Sequence, residues 1–203
     1  MNDHIIIRVL SRVFDLVLLN ILWIIFSLPL ITIGAATTAL YSVTLKMVRN
    51  EEGYIFREYV SAFKSSFWQS TIIWILMILL GSVIGLDYFI LKKVPYEIEI
   101  IGNTLLLLVW ILYLIEVIFV FPFIAKFENT TFSMLKNALL IPISRLPNTF
   151  GVLAVTVLCF VITSLNQTTI MAGAVIWLFI GVALVAFVNS FLIADIFQPY
   201  IDQ

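Results

Sequence analysis

Few of the residue types on which soluble chemistry is built occur in this chain. It has one histidine, His4, and one cysteine, Cys159. A histidine-based triad, a histidine or cysteine zinc site and an intrachain disulfide are therefore beyond one copy of it. Charge is also scarce. Only 11% of residues are Asp, Glu, Lys or Arg, and the formal net charge is −1. That balance offers nothing to a nucleic-acid backbone. The HExxH, GxSxG and P-loop patterns are missing, so the sequence reads as a protein that is not an enzyme and that needs no cofactor and no metal.

What the chain does have is apolar residues, 63% of 203, with a mean hydropathy of +1.15. Soluble domains hold about 45–50%. An excess spread along the whole length marks an integral membrane protein, with the lipid bilayer as its first partner. The expected fold is all-α: a polytopic transmembrane bundle of five to six membrane helices plus two amphipathic surface helices, forming one domain over 1–203. The membrane helices fall near 10–29, 30–48, 68–90, 104–125, 149–165 and 170–193. The surface helices fall near 54–67 and 127–140, where Phe56, Tyr59, Phe63 and Phe67, and then Phe132, Leu135 and Leu139, recur at helical spacing.

The first apolar run follows Arg8 and Arg12 and could imitate a signal peptide. Asp15, Asn20 and its length argue for a span instead. Arg12 and Asp15 lie three residues apart, close enough to pair on one helix face. Pro29 ends this helix, because proline lacks the N–H of the ladder. Gly34 then permits a turn or a close approach before a small-residue helix.

Charge decides whether that helix spans. If Leu30 to Val48 crosses back, nine of the eleven Lys and Arg fall on one side of the membrane and only Lys92 and Lys93 on the other. If it does not cross, the split is seven to four. The positive-inside rule favours six spans with both termini cytoplasmic.

Three groups of residues stand out. Glu116, with Asn20 and Asn189, is polar at membrane depth, where such groups are costly and usually face other helices. These three are the candidates for a polar path, as in a small transporter or channel, or else for interhelical hydrogen bonds. Gly81 and Gly85 form a GxxxG pattern that lets helices approach, within this chain or in a homo-oligomer. Phe63 and Lys64, with Leu135 and Lys136, are candidates for a cytoplasmic partner surface.

The run Asn20-Ile21-Leu22-Trp23, followed by Ser27-Leu28-Pro29-Leu30-Ile31-Thr32-Ile33-Gly34-Ala35-Ala36-Thr37-Thr38-Ala39-Leu40-Tyr41, resembles the YesL family of small bacterial membrane proteins. So do Glu51 to Lys64 and Phe127 to Leu139. The resemblance makes Pro29, Thr32, Gly34, Ala35 and Ala39 the family's most recognisable positions. It implies a bacterial plasma-membrane protein of unknown function, and it supplies no catalytic residues. Family members are often encoded beside carbohydrate ABC importers and two-component regulators. The resemblance therefore implies an accessory or regulatory partner of a carbohydrate ABC importer or sugar-sensing system, contacting a permease or sensor kinase. A membrane assembly factor is the remaining alternative.

Overall fold

The computed structural model describes residues 2–93 and 95–201, without the side chains of residues 2–6, 8, 96–98 and 201. Expectations that rest on His4, Arg8, Asp202 or Gln203 lie outside the described residues. Everything described is helix or short connection: α1 (Asn2–Ser27), a 3-10 turn (Leu30–Thr32), α2 (Ile33–Arg49), α3 (Ile55–Leu91), α4 (Tyr96–Lys126), α5 (Thr131–Ser144), α6 (Leu146–Ser164), α7 (Gln167–Ile176), a π segment (Trp177–Gly181) and α8 (Val182–Ile201). Six stretches are long and apolar enough to cross a membrane, and Leu30–Arg49 is one of them. The protein is a multi-pass helical membrane protein.

The bundle is organised around α2. In its span 67% of the most apolar stretch is buried inside the protein, against 11% to 22% in the other five. The cause is side-chain size. Ala35, Ala36, Ala39 and Val43 are fully buried, so neighbouring backbones come in close. Gly34 sits against α3, where an added Cβ would lie 2.6 Å from the Ser70 carbonyl oxygen and 2.7 Å from the Trp74 Cβ. Hydroxyls complete the crossings. Thr38 and Ser70 share a hydrogen bond of 2.9 Å, Thr44 and Ser190 one of 2.8 Å, and the Tyr59 hydroxyl donates to the Ala36 carbonyl at 3.1 Å. In hydrocarbon no water can satisfy these groups, so each is placed where another helix does.

The break between α1 and α2 has a division of labour. Pro29 is exposed and stops the ladder, while buried Thr32 donates its hydroxyl to the carbonyls of Phe26 at 2.6 Å and Pro29 at 2.9 Å. The Phe26 carbonyl is one that the end of α1 leaves without a helical partner, and the Pro29 carbonyl also accepts the Thr32 N–H at 2.7 Å. The Trp74 indole N–H donates to the Leu30 carbonyl at 2.9 Å and pins the turn to α3.

At its other end α2 closes in a Schellman turn. Asn50 takes the left-handed conformation (φ 55°), its N–H reaching the Met47 carbonyl, and the Glu51 N–H reaches Lys46. Arg12 docks there from α1, 2.6 Å from Glu52 and 2.8 Å from the Asn50 side-chain oxygen. Its ion-pair partner is thus Glu52 and not the expected Asp15. Chain reversal brings the loop alongside α1, and a carboxylate there meets the guanidinium better than one three residues along the same helix.

The surface helix expected near 54–67 is not a separate element. It runs without a break into the span as α3, 37 residues and about 55 Å long. No proline or glycine lies between Ile55 and Leu80 to interrupt the ladder. The second surface helix, α5, begins at Thr131 rather than near 127, because the Thr130 hydroxyl caps it by accepting the Ser133 N–H. Asn166 opens α7 through a reciprocal capping box with Thr169.

The two glycines of the GxxxG pattern differ. A Cβ on Gly81 would lie 2.5 Å from the Tyr113 hydroxyl of α4, whereas one on Gly85 would meet nothing within 4 Å. Gly81→Leu is therefore expected to cost about 1–3 kcal/mol by overpacking. Gly85→Leu should fall within about 0.5 kcal/mol of the parent. Thermal unfolding in detergent separates the two, and equal losses would contradict the assignment.

Candidate functional site

Six helices (α1, α2, α3, α4, α6 and α8) and the π segment line a cavity of about 260 Å³ in the bundle. Its character comes from three tryptophans, Trp23 of α1, Trp74 of α3 and Trp177 of the π segment, with Phe121 and Tyr41 beside them. Each indole N–H is already used. Trp23 donates to Thr37 at 3.1 Å, Trp177 to Thr163 at 3.1 Å, and Trp74 to the turn carbonyl described above. The rings are thereby fixed in place and present apolar surface to the space. No charged side chain is among the lining residues.

One polar group in the wall is incompletely satisfied. Asn189 of α8 is 1% exposed and donates its Nδ2 to the Thr156 hydroxyl oxygen at 2.9 Å. Thr156 gives its only proton to the Val152 carbonyl at 2.8 Å, so it can only accept from Asn189. Its Oδ1 is buried without a hydrogen-bond partner, and the Tyr41 side chain is hydrogen-bonded to the same amide.

Asn20 is placed differently. It is fully buried and every amide atom is engaged with the π segment or the start of α8: Nδ2 donates to the carbonyls of Trp177 at 3.0 Å and Leu178 at 2.8 Å, and Oδ1 accepts the Ala183 N–H at 3.0 Å. A π segment disturbs the i→i−4 ladder and leaves backbone groups in need of partners, and Asn20 supplies them from another helix. It holds in place the segment that carries Trp177.

The structure does not bring Glu116 to either asparagine. Glu116 is half-buried on α4, makes no hydrogen bond or ion pair among the described residues, and is absent from the cavity wall. Its neighbour Tyr113 donates to the Met77 carbonyl at 2.9 Å. A file of polar side chains through Asn20, Glu116 and Asn189 is not assembled.

At the charged end, Lys46 and Glu58 pair at 3.1 Å, and Glu58 also accepts the Gly53 N–H at 2.7 Å. Of the expected partner surface, Phe63 is turned inward against Phe26, ring centroids 4.7 Å apart, and Leu135 packs on the core. Lys64 and Lys136 are exposed. Among the family-pattern residues, Gly34, Ala35 and Ala39 are buried in the α2 crossings and Thr32 in the turn.

Sequence reasoning did not find Trp23, Tyr41, Trp74, Thr156 or Trp177 as a group. The available signal was tryptophan within apolar spans, since tryptophan is enriched at the membrane interfaces.

The model of the family described as "Protein of unknown function, DUF624" matches residues 16–88, a stretch that holds the second half of α1, α2 with its two flanking connections, and most of α3. Over 145 residues the chain is 24% identical to "Uncharacterized protein YteU" of Bacillus subtilis (strain 168), which covers 70% of this chain. The chain spans 65% of the length of that relative. No solved structure matches.

Proposed function

We propose that the protein, whose residues 16–88 match the DUF624 family model, is a non-catalytic accessory subunit of a membrane complex, acting as a regulatory partner of a carbohydrate ABC importer or sugar-sensing system. One observation supports this over transport through the chain itself. Several polar groups buried in the bundle close on one another, as in Thr38 with Ser70, Thr44 with Ser190 and Asn20 with the π segment, and Glu116 stands apart from them. The carbohydrate assignment rests on the genomic surroundings common in the resembling family.

The orientation proposed is both termini on the cytoplasmic side of a bacterial plasma membrane. Nine of eleven Lys and Arg then share that side. The closeness in charge of Lys46, Arg49 and Lys126 fits this, since they come from two different helices. Exposed Lys64 and Lys136 would meet the partner there.

Tagged full-length protein, extracted from native membranes in a mild detergent, is expected to bring down the neighbouring permease or sensor. Deletion is expected to lower uptake of that importer's sugar. Recovery of the protein alone, with uptake unchanged on deletion, would overturn the reading.

A further inference from the structure

We propose that the lipid-facing side of α4 around Glu116 is an interface with a second copy of this chain, in which the two Glu116 carboxyls, each as the neutral acid, hydrogen-bond to one another. The inference is independent of the partner reading and stands or falls without it. Glu116 lies ten residues before Lys126, the last residue of α4, and so about 15 Å deeper along the helix. It is half-buried and has no hydrogen-bond or ion-pair partner among the described residues. A lone carboxylate at that depth is costly, so the group is carried as the acid, and such groups usually face other protein. The stripe of α4 that carries it runs through Leu105, Val109 and Leu112, each of them exposed. Positions 105, 109, 112 and 116 are spaced by four, three and four residues, the spacing of a seam that two helices bury against each other. Long side chains on a helix lean toward its N-terminus, which carries the Glu116 carboxyl toward exposed Leu112.

Whatever covers this seam must complete a carboxylic acid, which needs one acceptor and one donor. A second carboxylic acid supplies both, so Glu116 is its own complement. Copies inserted in one orientation run α4 in the same direction. A two-fold axis along the membrane normal then sets both Glu116 side chains at one depth, with the same stripe facing itself. The exposed hydroxyls of Ser82, Thr104 and Ser164 do not compete for this role, because each gives its proton to a carbonyl of its own helix. The GxxxG pattern of α3 is not free as a whole either, since Tyr113 of the same chain sits over Gly81.

The test places single cysteines in the full chain, in native membranes, with Cys159 changed to Ala. Under copper phenanthroline, Leu112→Cys on the seam is expected to give a disulfide-linked dimer of this chain. Ile111→Cys, at nearly the same depth but off the seam, is not. Both positions are 43% exposed, so access to the oxidant does not separate them. In mild detergent the dimer dissociation constant, expressed as a mole fraction in the micelle, should rise about tenfold in Glu116→Leu, the equivalent of two average hydrogen bonds between membrane helices. Glu116→Gln should stay close to the parent, because a carboxamide also donates and accepts. It keeps the test decisive if the leucine variant does not fold. Equal cross-linking at 111 and 112 overturns the proposal, as does a leucine variant that dimerises as tightly as the parent or a glutamine variant that does not dimerise. So does a chain that stays monomeric in membranes and in detergent, as expected if a helix of a different protein covers the seam.

Discussion

Gly34→Leu is expected to abolish the packing of α2 on α3 and to cost about 3 kcal/mol or more, the upper end of what overpacking does. The reason lies in which atoms are in the way. The first atom of any side chain at 34 would lie 2.6 Å from the Ser70 carbonyl oxygen, 2.7 Å from the Trp74 Cβ and 3.0 Å from the Phe121 ring. A carbonyl oxygen and a Cβ cannot rotate aside, so the helices must separate. Separation strains everything that depends on their distance. Thr38 to Ser70, Tyr59 to Ala36 and Trp74 to Leu30 are each hydrogen bonds between this turn or helix and α3, at 2.9, 3.1 and 2.9 Å.

Gly34→Ala should show the same fault in reduced form. Alanine gains up to about 1 kcal/mol in helix propensity over glycine, which offsets part of a steric cost of about 1–3 kcal/mol. Trimming the neighbours does not help. Ser70→Ala retains the carbonyl and Trp74→Ala retains the Cβ, so neither is expected to rescue Gly34→Ala. Unfolding midpoints of the single and double variants decide it. Full rescue by either trim would mean that the obstacle is a mobile side chain and that the backbone approach is looser than described.

The helix count was legible in the sequence because hydrocarbon thickness demands long apolar runs, and the runs are bounded by charge, Pro, Gly or, in the last hairpin, the polar stretch Asn166-Gln167-Thr168. The hairpin at Pro29 was legible for the same reason, and the charge distribution favours a second arm that crosses. Leu30–Arg49 is indeed long and apolar enough. The small residues Gly34, Ala35, Ala36 and Ala39 also announced close packing. Their partner is this chain's own α3 and its neighbours, which composition cannot specify.

Continuity of α3 was obscured by a change of pattern. Amphipathic spacing up to Phe67 gives way to an all-round apolar surface from Trp68, but the backbone needs only an unbroken ladder to continue. The Arg12–Glu52 pair was missed because local spacing offered Asp15 first. The cavity was the least legible feature. Its tryptophans come from three distant segments, and the orphaned atom of Asn189 exists only because Thr156 and Val152 stand where they do. Asn20 and Asn189 looked alike as buried amides in apolar spans. One is saturated by backbone and the other is not, a difference of geometry rather than of residue type.

Asn20→Leu is the second large effect expected, a loss of about 2–5 kcal/mol. The substitution conserves volume and suits hydrocarbon, so a reading from hydropathy alone would expect a neutral or stabilising change. Against that stand three interhelical hydrogen bonds lost at once, two from Nδ2 to the carbonyls of Trp177 and Leu178 and one to Oδ1 from the Ala183 N–H. Hydrogen bonds between membrane helices average about 0.6 kcal/mol and reach about 1.7. Three at the upper half of that range outweigh what leucine gains. The groups left behind are backbone, buried where no water reaches, and they recover partners only if the π segment rewinds toward α geometry. Rewinding changes the register of Trp177 and hence of the cavity wall. Asn20→Asp should not rescue, because a carboxylate keeps the acceptor but brings negative charge against two carbonyl oxygens. Both variants are therefore expected to lower the unfolding midpoint, and Asn20→Leu in addition to shift the tryptophan emission of the folded protein. A leucine variant as stable as the parent, with unchanged emission, would show that the π segment holds its shape without Asn20.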